Sequence, residues 1–125
     1  MKNLENDLVT FITKINNSII VSIPGEMTDD EIKVITDLIL SSAYRQNVKG
    51  AIFDFSIVKV MDHYTFTAFD RITKSLCLIG VKAVWVGLKP GVVSALMDLD
   101  VAFEASKIQT ASSLEYGLQL LKGVR

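Results

Sequence analysis

Four consecutive residues, Asp62, His63, Tyr64 and Thr65, bring together a carboxylate, the only imidazole of the chain and two hydroxyls, within the stretch "VMDHYTFT". An acid beside a histidine suggests general acid–base chemistry, which needs a partner that orients the ring and a pocket that holds a substrate. Asp62 is poorly placed for that task. It stands where the apolar run "AIFDFSIVKVM" meets a helical pattern, and a carboxylate at a helix N-cap points at the backbone N–H groups of its own first turn. No G-x-S-x-G elbow supplies a nucleophile. From the residues alone, His63 reads as an exposed first-turn residue. The hydroxyls of Tyr64, Thr65 and Thr67 allow another chemistry. A phosphate there meets free N–H donors and a favourable helix dipole, and it adds close to two negative charges to a surface. Ordinary helix-surface polarity accounts for the same hydroxyls and is the simpler reading.

A second cluster, "GLKPG", holds Lys89, Pro90 and Gly91. It lacks the spacing of a phosphate-binding loop, and Pro90 removes one N–H that would bind an anion at a helix N-terminus. It reads as a strand-to-helix turn. Cys77, in "SLCLIG", is the only cysteine and is expected to be a small buried thiol. One cysteine and one histidine fall short of the three or four ligands of a zinc site. Neither a metal nor a cofactor is expected.

The elements that position these residues follow from periodicity. Residues 8–14, "LVTFITK", and 18–23, "SIIVSI", are β-branched runs separated by Asn16 and Asn17, which predicts a β-hairpin. Thr28 with Glu31 forms a capping box. It opens a helix to about residue 45 whose stripe is Ile32, Ile35, Leu38, Ile39 and Ala43. "GAIFDFSIV" predicts an interior strand buried on both faces. Helix two starts at Asp62, carries Phe66, Phe69, Ile72, Leu76 and Ile79, and ends at Gly80. "VKAVWVGL" is another strand. Pro90 then begins a helix with Val93, Leu96 and Met97 inward, ending near Asp100. "SKIQTA" reads as a short edge strand. Ser112 and Glu115 suggest a second capping box, before a helix bearing Leu114, Leu118 and Leu121 and a fraying "KGVR". The order β-β-α-β-α-β-α-β-α implies an α/β fold: one sheet with a hairpin start and a parallel portion. Sites in such sheets lie at the carboxyl ends of strands, where the Asp62 and Lys89 loops fall.

The length of 125 residues fits a single domain spanning 1–125. Half the residues are apolar and the formal net charge is −1. That balance lacks the basic footprint of a nucleic-acid binder. There is no basic amphipathic helix for a membrane surface, and no apolar stretch reaches the ~18 residues of a spanning helix. The N-terminal "MKNLENDLVT" is too polar for a signal peptide. A cytoplasmic protein is expected, without nucleic-acid or membrane partners.

Three stretches carry a family resemblance: "SIIVSIPGEMTDDEI", "GAIFDFSIVKVMDHYTFTAFDRI" and "GVKAVWVGLKPGVVSALMDLDV". From about residue 8 to 122 the chain resembles the STAS domain, named for sulfate transporters and anti-sigma factor antagonists. The third stretch is most similar to the RsbS-type subunits of bacterial stressosomes. The resemblance implies a non-enzymatic regulatory module. Its partners would be a serine/threonine switch kinase or an anti-sigma factor, together with paralogous STAS subunits. A homo-oligomer or a stressosome-like assembly is the implied higher-order state. Partner binding would involve Asp62, His63, Tyr64 and Thr65 with the adjoining turn at Lys89, Pro90 and Gly91. In the family the phosphoacceptor is a Ser or Thr directly after the Asp that matches Asp62, so His63 occupies that position. Three readings of this departure compete. Regulation has been lost and the unmodified-like binding state persists; Thr65 or Tyr64 has taken over; or His63 answers to pH, because imidazole titrates near neutrality. The first is favoured. A reading from another class is a STAS module that binds a small molecule or nucleotide between the Asp62 and Lys89 loops.

Overall fold

A computed structural model describes residues 4–98 and 108–122. A short helix α1 (Leu4–Leu8) and a 3-10 turn (Val9–Phe11) precede strand β1 (Ile12–Ile15). The chain continues through β2 (Ser18–Ser22), α2 (Asp29–Arg45), β3 (Gly50–Asp54), α3 (His63–Leu78) and β4 (Lys82–Val86). It closes with α4 (Pro90–Asp98), β5 (Thr110–Ala111) and α5 (Leu114–Leu121). The described strands form one sheet in the order β1-β2-β3-β4-β5. The first pair is antiparallel and the rest are parallel. The expected single sheet with a hairpin start and a parallel portion is therefore present, with a helix in front of it.

That front helix corrects the first strand. The run 8–14 reads as continuously extended, yet the strand begins only at Ile12. Leu8 is instead buried in the main core, where Leu4 packs as well. The hydroxyl of Thr10 donates to the Asp7 carbonyl at 2.7 Å, which favours a turn over extension. The hairpin turn is as expected. Asn16 takes a positive φ of 54°, a conformation Asn tolerates, and Ile15 pairs with Ser18 across it.

Alternation along the strands divides the apolar residues between two faces. Ile19, Val21, Ala51, Phe53 and Trp85 lie in the larger cluster, with Ile35 and Ile39 of α2 and Phe69 and Leu76 of α3. Ile20, Ile52, Val84 and Val86 face the other way, against Leu121 of α5. Both faces of β3 are thus covered, as its unbroken apolar run predicts. The strand proper stops at Asp54 rather than running on through Val58, although Phe55 N–H still donates to the Val86 carbonyl at 2.9 Å.

Helix α3 is fastened to the sheet by aromatic rings and one polar link. The Phe55 ring lies 4.9 Å from Trp85 and 5.4 Å from Phe69, the second pair edge to face. Trp85 Nε1 donates to Thr73 Oγ1 at 2.9 Å, and that hydroxyl donates in turn to the Phe69 carbonyl at 2.7 Å. The buried indole is therefore satisfied. The helix ends one residue earlier than its stripe suggests. Ile79 is the C-cap and is exposed, and Gly80 follows with a φ of 81°. Cys77 is exposed, contrary to the expected buried thiol. Leu76 points into the core and its neighbour, about 100° further round the helix, does not.

Two other registers shift. In α4 Leu96 is buried as expected, but its buried companion is Val92, whereas Val93 and Met97 are exposed. Both pairs have i, i+4 spacing, so periodicity could not choose between them. At α5 the cap is Ser113, whose side chain accepts from Tyr116 N–H at 3.4 Å, and Ser112 with Glu115 forms no capping box. Leu121 is buried and Leu114 and Leu118 pack beside it, as expected. The approach of α5 to the sheet is close. A Cβ on Gly117 would come within 2.6 Å of Val86 Cγ1. The expected helix end near Asp100, Ser106 and Lys107 of the edge strand, and the last three residues of "KGVR" lie outside the described residues.

Candidate functional site

Asp62 is the N-cap of α3, with extended backbone at φ −87° and ψ 177°. Its Oδ1 accepts from Thr65 N–H at 2.8 Å. That backbone bond is the main reason its carboxyl lies below the ordinary carboxylate value of 3.8. The Thr65 side chain adds a second hydrogen bond, and the His63 imidazole makes a smaller contribution. Desolvation works slightly against them. The carboxylate thus serves the helix and does not orient the imidazole ring, so the arrangement supplies no acid–base pair.

The four residues of this segment differ in freedom. Asp62, His63 and Tyr64 are exposed, and Thr65 is half-buried. The Tyr64 hydroxyl donates to the Asp29 carbonyl at a long 3.5 Å, so it links the first turns of α3 and α2. The first turn of α2 is itself held by the expected reciprocal capping box. Glu31 N–H donates to Thr28 Oγ1 at 3.1 Å, and Thr28 N–H to Glu31 Oε1 at 2.8 Å. Two well-capped helix N-termini therefore stand side by side at the carboxyl end of the parallel strands.

A cavity of about 560 Å³ lies at this end. Its walls are the loop after β2, with Ile23 and Met27, and the loop after β3, with Phe55 and Val58; Asp62 and Thr65 are at its rim. Ile57 and Val60, also on the wall, project into solvent at 60% and 79% exposure. Exposed aliphatic side chains beside a cavity of mixed polar and apolar lining are what a docking surface offers a partner. The sequence pointed to the Asp62 side of this wall. It missed Ile57 and Val60, because an apolar run read as one strand through Val58 hides a loop that turns its side chains outward.

The Lys89 turn does not share the cavity. Lys89, Pro90 and Gly91 do not line it. The two loops start from neighbouring strands, and their bases touch. Gly87, with a φ of 74°, lies so near Ser56 that an added Cβ would be 3.0 Å from the serine Cβ. Pro90 is the first residue of α4, as its chemistry predicts. Among the described residues no group of His, Cys, Asp or Glu could hold a metal ion, and no helix is long and apolar enough to cross a membrane.

Comparison with known proteins agrees with this architecture. Residues 10–115 match the STAS domain family. An RsbS variant from Moorella thermoacetica has a similar structure, with a TM-score of 0.77 and 26% identity over 89% of this chain and 92% of that one. A subunit from a study of the molecular architecture of the stressosome, described as a signal integration and transduction hub, gives a TM-score of 0.72 at 24% identity. That match covers 89% of this chain and 95% of the other. The anti-sigma factor antagonist SpoIIAA in its unphosphorylated form gives 0.70 at 14% identity, over 91% and 96% of the two chains. No curated protein matches the chain in sequence.

Proposed function

The chain belongs to the STAS domain family, and from that premise we propose that it is a regulatory module that works by binding other proteins and not by catalysis. It acts as an anti-sigma factor antagonist or as a stressosome subunit of RsbS type. The observation that carries this reading is the exposed first turn of α3 beside a cavity whose wall projects Ile57 and Val60 into solvent. The partner is a serine/threonine switch kinase or an anti-sigma factor, with paralogous STAS subunits as assembly partners. It docks on residues 62–65 and the neighbouring wall, with the turn at Lys89, Pro90 and Gly91 as a flank.

His63 stands where the family resemblance expects the phosphoacceptor. It has no hydroxyl to receive a phosphoryl group, so the docking face keeps its unmodified charge. The substitutes are encumbered. The backbone N–H and the side chain of Thr65 both bond to the Asp62 carboxylate, so a phosphate on Thr65 would disrupt the cap and face a carboxylate at close range. Tyr64 is phenolic and lies outside the chemistry of a serine/threonine kinase. The test is incubation with a serine/threonine switch kinase and ATP, followed by phosphate mapping by mass spectrometry. The wild type should stay unmodified, and His63→Ser should become labelled at the new serine. Stoichiometric phosphate on Thr65 or Tyr64 of the wild type would overturn the unregulated reading. Docking is checked separately. Charge-changing substitutions at Asp62 and Lys89 should weaken capture of the partner while circular dichroism stays unchanged.

The cavity supports a second reading, a STAS module that binds a small molecule or nucleotide. Such a ligand at 100 times its dissociation constant would raise stability by about 2.7 kcal/mol. A thermal-shift series with nucleotides that moves nothing counts against it.

A further inference from the structure

The overall charge of −1 conceals a separation along the strand axis. At the carboxyl end of the parallel strands lie Glu26, the first turn of α2 with Asp29, Asp30 and Glu31, then Asp54, Asp62 and Glu115. Three described cations, Lys33, Lys59 and Lys89, share that end, against seven acids. The opposite end carries Lys14 beside the β1–β2 turn, Arg45 at the end of α2, Lys49 and Lys82 at the starts of β3 and β4, and Lys122 after α5. Asp98, the last residue of α4, is the one described acid that a helix directs toward it. The ion pair found among the described residues, Lys74 with Asp70, involves none of these five cations.

Helix dipoles explain part of this pattern, because acids favour first turns and cations favour last turns. They do not explain Glu26 and Asp54, or Lys14, Lys49 and Lys82, which lie on strands or loops. Dipoles also do not account for the apolar side chains left in water at both ends. Ile57 and Val60 project at the acidic end. Tyr44 and Leu78, at the C-terminal ends of α2 and α3, are 74% and 88% exposed at the basic end. Each end thus has the make-up of an interface, apolar contacts within a charged surround, and the two charges are opposite.

We propose that the acidic end of one copy docks on the basic end of a second copy, head to tail. Two different patches meet in such a contact, so it is heterologous and propagates into a ring or an open row. The occupant is a second copy because both halves of the complementary pair lie on the same chain. The inference does not rest on the proposed regulatory docking, since it is read from the protein alone.

Sedimentation velocity with multi-angle scattering on the full chain tests it, in about 20 mM and about 500 mM salt, conditions that differ strongly in screening length. At low salt and rising protein concentration the mean mass should at least double from the 13.8 kDa of one chain. At high salt it should return to the monomer. A pair of variants identifies the contact. Glu26→Lys with Asp30→Lys alters the acidic end, and Lys49→Glu with Lys82→Glu alters the basic end. Each alone should remain monomeric, and an equimolar mixture should associate again, because one brings an intact basic end and the other an intact acidic end. A wild type that stays monomeric at low salt, or that associates equally at high salt, overturns the proposal. So does a folded single variant that associates like the wild type, or a mixture that stays monomeric. If the variants fail to fold, the salt series on the wild type decides.

Discussion

At the scale of single residues, Asp62 concentrates most of the local physics. Its carboxyl is held below its ordinary range by Thr65, so the folded state binds that proton less readily than the unfolded chain. The sign follows from linkage. The stabilisation is fully present above the unfolded value near 3.8 and is lost as pH falls through the lower folded value. Asp62→Asn keeps a cap, because Asn ranks with Asp there. It should unfold at nearly the wild-type urea midpoint at neutral pH and show a shallower loss of stability below pH 4, read by urea titrations across that range. Asp62→Ala should cost about 0.5–2 kcal/mol at neutral pH in the same assay. This part of the site was legible in the sequence, since a cap depends on residues within one turn. The role proposed for His63 rests on family resemblance alone. Nothing in its spacing distinguishes a lost phosphoacceptor from an ordinary exposed first-turn side chain.

At the scale of elements, α3 and α5 depend on contacts that no local pattern encodes. Thr73→Val conserves shape and removes the acceptor of the Trp85 Nε1 proton. A buried donor left alone should cost about 1–3 kcal/mol, measured as a fall in ΔG of unfolding. Gly117→Ala pushes a methyl group against Val86, and overpacking of that kind should cost about 1–3 kcal/mol and lower Tm. Gly91→Ala is the control. Beyond its own helix backbone and chain neighbours no described heavy atom would lie within 4 Å of an added Cβ, and Ala is favoured over Gly in a helix by up to ~1 kcal/mol, so stability should hold or rise. The capping box of α2, the hairpin turn, the two-face burial of β3 and Pro90 at the head of α4 could all be read in advance. Each is decided by neighbours in sequence or by a simple period. The errors arose where two registers fitted equally, as in α4, where Leu96 is buried as expected but its inward companion is Val92 in place of Val93 and Met97. They also arose where an apolar run outlasted its strand, at Leu8 and after Asp54. In those places tertiary packing decides, and packing is not periodic.

At the scale of the whole molecule, charge polarity sets limits on partners. If copies stack end to end, the acidic end that carries the Asp62 turn is covered in every copy except the last. A folded variant with Lys49→Glu and Lys82→Glu leaves that end free, so it should capture more partner per chain in a low-salt pulldown than the wild type does. The polarity was invisible in the composition, because a sum near zero says nothing about where charges lie once the strands are aligned. The sheet has two apolar faces joined through the same strands, which makes independent melting of either face unfavourable and favours a single cooperative unfolding step. The seating of Trp85 makes this observable. It is the only tryptophan, it is fully buried, and it is held by Thr73 between the sheet and α3. Its fluorescence is therefore a built-in gauge of whether the helix bearing Asp62 is seated. Emission should be blue-shifted in the folded protein and should move to the red in step with the far-ultraviolet dichroism. A partner that lifted α3 from the sheet would shift the emission, whereas one resting on its first turn would leave the colour unchanged, so a fluorimeter alone can separate remodelling from simple docking.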